Sequence, residues 1–225
     1  MRRSPVPLAR PVIVLNGYHA PRFTVRGLAT RMASVTSGQE ADFLAVAYTT
    51  ARSIEAAAAS AMRQILRRYP AVGDLTVPFD VIGVSMGGLV ARLLASVGAP
   101  GNVRLNISRL FTLATPHRGA ILARWFRLDE AAAQMLPGSG FLRRLDTLDR
   151  PHELVCYAQL GDWWVGATNA APPDMHPIWT DADSLFGKVH SHVEITHNRK
   201  VLCDIARRLR GEPPLARFGG PPPRD

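Results

Sequence analysis

The run Gly83-Val84-Ser85-Met86-Gly87-Gly88 constrains this chain more than any other stretch. The six residues before it, Val77-Pro78-Phe79-Asp80-Val81-Ile82, are mostly apolar and read as a buried strand coming to its end. Residues 89–97 read as a helix, with Gly98 as its stop. A serine caught in so tight a strand-to-helix turn needs small neighbours, and Gly83 and Gly87 supply them. The turn lifts the Ser85 hydroxyl above the sheet edge and sets it over the positive end of the following helix. The bare Gly-x-Ser-x-Gly pattern is common by chance. Its placement between a strand and a helix marks it as a nucleophile elbow.

The rest of the chain alternates strand with helix. Residues 12–15 form a short apolar strand, 24–35 carry helical spacing through Leu28, Met32 and Val35, and 43–48 form a second strand. Ser53 caps a long alanine-rich helix that runs through Tyr69 and stops at Pro70. Further strands are expected at 107–113 and 154–160. A last helix is expected at about 199–209, with Val201, Leu202, Ile205 and Leu209 on one face. This order predicts an α/β domain with a mostly parallel sheet and helices on both faces. Residues 119–151 break the alternation. They place Trp125, Phe126, Leu128, Met135, Leu136, Phe141 and Leu142 on two short helical segments parted by Pro137-Gly138-Ser139-Gly140, and read as a helical lid. The lid's apolar residues fit ordinary core as well as a substrate surface. The domain is expected to span 1–210, with the lid at about 119–151 and a flexible Pro/Gly-rich tail at 211–225.

The chain has 225 residues, 47% of them hydrophobic, which is enough for one domain with a full core. No apolar run approaches the roughly 20 residues of a membrane span. The first residues carry charge and lack the apolar core of a secretory leader, so cytoplasmic residence is expected. Cys156 and Cys203 sit in apolar surroundings and read as core thiols. The net charge is +9, and Lys188 and Lys200 are the only lysines, so the excess is arginine. The arginines are scattered and interleave with no aromatic pattern, which argues against nucleic-acid binding. Peripheral contact with an anionic membrane or an acidic substrate is compatible with the charge.

A serine hydroxyl needs an adjacent base, and the base needs an orienting carboxylate. After an elbow of this kind the chain order is serine, acid, histidine. Asp162 stands directly after the strand that follows the lid and is the expected acid; an Asp-turn is its plain alternative, and Asp174 is the next candidate, ahead of Asp181 and Asp183. Three histidines precede the last helix. His192 is favoured as base, His190 is next, and His197 lies at the helix cap. His190-x-His192 lacks the further ligands a metal needs, so no metal or cofactor is expected. An oxyanion hole needs two backbone N–H groups. Met86 follows the serine and supplies one, and the loop Asn16-Gly17-Tyr18-His19 supplies the other through Tyr18.

Three segments together resemble the lipase-like serine esterases of the α/β-hydrolase superfamily: the elbow from Phe79 to Arg92, Thr112-Leu113-Ala114-Thr115-Pro116-His117-Arg118-Gly119, and Pro137-Gly138-Ser139-Gly140-Phe141-Leu142. The likeness runs over about 12–209. Two positions depart from it. Val84 and Asn16 stand where the group often has histidine, and Asn16 is expected to alter hydrogen bonding in the oxyanion loop. The resemblance implies the α/β-hydrolase fold, hydrolysis of carboxylic esters without a cofactor, a small-molecule or lipid ester as substrate, and a structural His117 that holds the base of the lid. Trp163 and Trp164 beside the acid suggest an apolar acyl pocket. The same residues are compatible with an acyltransferase, or with a silent binding module on a hydrolase fold.

Overall fold

The computed structural model describes residues 6–96, 102–121, 123, 129–181, 191–215 and 220–223. Its centre is one sheet of parallel strands: β1 (Val12–Leu15), β2 (Phe43–Val46), β3 (Phe79–Val84), β4 (Ile107–Leu113), β5 (Glu153–Gln159) and β6 (Ile178–Thr180), in the spatial order β2-β1-β3-β4-β5-β6. Every neighbouring pair is parallel. Such a sheet is covered on both faces, which is why its inner strands read as unbroken apolar runs.

Alternate residues supply two cores. Ile13, Leu15, Phe79 and Val81 face α2 (Ile54–Arg68) and α3 (Met86–Ala95), while Val12, Val14, Ile82 and Phe111 face α1 (Arg22–Thr36) and α7 (Arg199–Leu209). Local chemistry sets several boundaries. The Ser53 hydroxyl accepts the Ala56 amide at 3.1 Å and opens α2 where expected. Asn198 accepts the Lys200 and Val201 amides and opens α7. The third strand begins two residues later than expected, at Phe79, because Pro78 has no amide to give. The expected helix at 89–97 instead begins at Met86, directly behind the serine, and Ser96 caps its end; Gly98 lies outside the described residues.

Between β4 and β5, two short helices, α4 (Glu130–Gln134) and α5 (Gly140–Thr147), are parted as the Pro-Gly-Ser-Gly run predicts. Met135, Phe141, Leu142 and Leu145 are buried in the same core as α2 and α3, so these side chains serve as core. The Ala131 amide donates to Arg52 O at 2.7 Å, and the Ile54 amide donates to Gln134 Oε1 at 2.7 Å, which bolts α4 to the start of α2. Trp125, Phe126 and Leu128 lie outside the described residues. Residues 213–215, read as the start of the tail, lie back along α7: Arg207 Nε donates to Pro213 O and the Leu215 amide to Asp204 Oδ1.

Among the described residues, β6 and the single turn α6 (Ser191–Glu194) had no signal in the sequence. Both are too short for a periodicity to show. They complete the edge of the sheet beside Asp162 and carry His192.

Candidate active site

Ser85 sits at the crest of the turn with φ 51° and ψ −124°, a conformation L-residues rarely adopt. Its amide donates to Leu113 O at 2.8 Å, and its carbonyl accepts the Thr115 hydroxyl at 2.8 Å, so the end of β4 and the turn after it pin the strained residue from both sides. Glycine is required around it by contact. A Cβ on Gly83 would lie 2.6 Å from Gly88 Cα, and one on Gly87 would lie 2.7 Å from the carbonyl oxygens of Leu15 and Asn16. Gly88 belongs with them, since a Cβ there would press to 2.7 Å from Thr115 Cγ2 and 2.9 Å from Thr112 Cγ2. The sequence pattern hinted at Gly88 only as a doubled glycine.

Among the candidates, the structure brings together Ser85, His192 and Asp162. His192 Nε2 is 2.9 Å from Ser85 Oγ, and Nδ1 is 2.8 Å from Asp162 Oδ2. His192 is 7% exposed and Asp162 4%. Asp162 follows Gly161, whose φ of 75° turns the chain at the end of β5. Its Oδ1 accepts the Trp164 amide at 2.9 Å and the Val165 amide at 3.3 Å. The Asp-turn reading therefore holds alongside the pairing: one oxygen shapes the turn and the other meets the imidazole. Glu194 ties α6 to β5 by accepting from Gln159 Nε2 at 3.1 Å.

The other candidates stand elsewhere. Asp174 is taken up by Arg150, at 3.1 and 2.5 Å, on the surface. Asp181 is exposed. His197 bonds the Thr196 hydroxyl at 3.1 Å, and burial pulls its pKa below the ordinary value. His190 and Asp183 lie outside the described residues.

The loop after β1 reaches the serine. A Cβ on Gly17 would lie 3.4 Å from Ser85 Cβ, so the backbone there passes against the nucleophile candidate. Asn16 braces the loop: its Nδ2 donates to Ala20 O at 2.6 Å, and its Oδ1 accepts the Thr24 hydroxyl at 3.1 Å. Tyr18 follows, its phenol pushed up to about 12 by burial and by the Asp129 carboxylate beside it. Met86 opens α3, where a first-turn amide has no carbonyl partner within the helix.

His117 is fully buried. Its Nδ1 accepts from Arg92 Nη1 at 3.2 Å, and its Nε2 lies 3.1 Å from the Thr112 hydroxyl. Burial, then the charge of Arg92, holds its pKa well below the usual range, so the ring is neutral. Arg92 Nη2 goes on to Leu145 O at 3.2 Å and Asp146 Oδ1 at 2.9 Å, linking His117 to the end of α5. Arg92, itself buried, carries this link and was not singled out by the sequence pattern. Cys156 and Cys203 are free thiols, and burial raises Cys156 to about 11.

Residues 11–131 match a family model described as PGAP1-like alpha/beta domain, a span that includes Ser85 and ends before Asp162 and His192. A search among curated proteins finds no match. Among solved structures, Aspergillus fumigatus lipase B is similar at a TM-score of 0.61 and 14% identity, over 91% of this chain and 53% of that one. Phospholipase PlaB from Legionella pneumophila, in complex with thio-NAD, is similar at 0.54 and 15% identity, over 72% of this chain and 44% of that one. The mature form of Bacillus licheniformis lipase BlEst2 is similar at 0.52 and 15% identity, over 88% of this chain and 94% of that one. The chain spans about half the length of the first two. At these identities the likeness is one of fold, and the fold is that of the α/β-hydrolases. Among the described residues, no helix is long and apolar enough to cross a membrane.

Proposed function

The chain belongs to the PGAP1-like alpha/beta domain family, and from that premise we propose that it is a serine hydrolase of carboxylic esters. The observation that carries the reading is the relay from Ser85 Oγ through His192 to Asp162, with steps of 2.9 and 2.8 Å. Ser85 attacks the ester carbonyl while His192 Nε2 takes its proton. Asp162 holds the ring in the tautomer with a proton on Nδ1 and stabilises the imidazolium. The amides of Met86 and Tyr18 receive the oxyanion. His192 then returns the proton to the departing alcohol, leaving an acyl group on Ser85. Water, deprotonated by the same histidine, releases it. No step needs a cofactor.

The surroundings favour an apolar acyl group, as in small-molecule or lipid esters. Trp163 is 56% exposed, Trp164 42% and Val193 53%, and they stand one or two residues past Asp162 and His192. Large apolar groups left exposed at the rim of a site are the informative kind. The catalytic unit is read as one domain over 1–210, with its helical insertion at 119–151.

The test is hydrolysis of p-nitrophenyl esters from acetyl to palmitoyl by wild type and Ser85→Ala. Loss of activity by several orders of magnitude in the variant is expected. Full activity without the Ser85 hydroxyl would overturn the mechanism, and a preference for the shortest acyl chain would overturn the apolar pocket.

A further inference from the structure

Trp164 touches both partners of the serine. Its indole lies parallel to the His192 imidazole in an offset stack, the ring centroids 5.2 Å apart and the planes 5° from parallel. Its amide donates to Asp162 Oδ1 at 2.9 Å, while Asp162 Oδ2 meets His192 Nδ1 at 2.8 Å. One residue therefore grips the acid through its backbone and the base through its side chain. The indole is 42% exposed, so burial alone does not account for its place.

The imidazole has a geometric problem that this contact solves. Both ring nitrogens are engaged, Nε2 with Ser85 and Nδ1 with Asp162, so tilting the ring out of its plane weakens both bonds at once. α6, which carries the histidine, is a single turn and a weak anchor by itself. A flat wall parallel to the ring permits sliding in its plane and opposes tilting out of it. The electron-rich face of an indole also attracts a cation placed over it. Among the described residues, the ionisable group on the ring is Asp162 at Nδ1; on the same turn stand Glu194, bonded to Gln159, and His197, whose amide donates to Glu194 O.

We propose that Trp164 is a positioning residue for His192: its face holds the imidazole in the plane that reaches Ser85 and Asp162, and favours the imidazolium that forms when the serine yields its proton. The inference rests on the acyl-transfer reading of these residues.

Two measurements test it. A protonated imidazole stacked on an indole quenches its fluorescence, so tryptophan emission is followed through the acid titration of wild type, Trp164→Phe and His192→Gln. The quenching step is expected in wild type and absent from both variants, and this readout needs no turnover. In parallel, kcat and KM are measured for Trp164→Leu and Trp164→Phe on one p-nitrophenyl ester. Removing an exposed cation–π partner is expected to lower kcat about two- to five-fold in the leucine variant, with KM nearly unchanged. The flat ring of phenylalanine should restore most of the loss. An active enzyme whose quenching and kcat ignore residue 164 overturns the proposal. Quenching that follows both residues in a protein without esterase activity sustains the stack and refutes the reading of the function instead.

Discussion

His19 and Asp129 stand 110 residues apart in the chain and meet at 2.8 Å, His19 Nε2 on Asp129 Oδ2. The other ring nitrogen lies 2.7 Å from Thr49 O. His19 has φ 46°, outside the ordinary range for a side-chain-bearing residue, so the contacts hold a strained turn. Asp129 is also the cap of α4, accepting the Ala132 amide at 3.0 Å. The loop that passes against Ser85 is thus fastened to the first turn of α4.

The fastening should appear as coupling between the two residues. His19→Ala and Asp129→Asn are each expected to lower kcat by up to about fivefold, through the loss of a pairing that is worth about 1 kcal/mol or less because the His19 side chain is 40% exposed. A double-mutant cycle read in kcat checks this, and strictly additive losses would show that the two act independently.

Gly87→Ala should be far more damaging than a typical glycine substitution in a helix. The new methyl would press to 2.7 Å from two backbone oxygens, and neither Leu15 nor Asn16 can turn away without moving β1. A stability loss of about 1–3 kcal/mol is expected, together with loss of activity as the loop at 16–18 is displaced. Urea melts and esterase assays on the purified variant measure both.

His152 should make the protein acid-sensitive. Burial, then the charges of Arg92 and Arg150, lowers its pKa to about 4. Its ring nitrogens find no hydrogen-bond partner among the described residues. Unfolded, the group takes up a proton near the ordinary histidine value of about 6.5. The unfolded state therefore binds more protons between these limits, so stability falls as pH drops from about 6.5 to about 4, and this histidine adds no further loss below that. His117, lowered in the same direction, adds to the slope. Urea midpoints at stepped pH should show a shallower fall for His152→Phe than for wild type.

Arg92→Ala should unhinge the end of α5. The substitution takes the guanidinium from Leu145 O, which keeps only the Leu148 amide at 3.3 Å, and leaves the buried His117 Nδ1 without its donor and Asp146 without its ion-pair partner. Asp146 is 35% exposed on its side chain, so part of the charge is resolvated, and a loss of about 2–3 kcal/mol is expected. Hydrogen exchange should show faster opening of the amides of residues 140–147 than in wild type.

Residues close in sequence determined much of this protein. The apolar run before Gly83 and the glycines after Ser85 specify a strand, a strained turn and a helix, because each is decided by local sterics and burial. The α7 stripe and the Ser53 cap were legible in the same way, through 3.6-residue spacing and one side-chain bond. The strand-helix alternation specified a parallel sheet, since parallel neighbours need crossovers of that length. Tertiary structure alone decided which histidine meets Ser85, because 107 residues separate His192 from it and only the order of strands sets where α6 falls. It also decided that β6 extends the sheet, that Gly88 must be glycine because Thr115 stands over it, and that Trp164 faces the imidazole. Those relations depend on the register of strands distant in the chain, and no pattern within one segment records the distance between two.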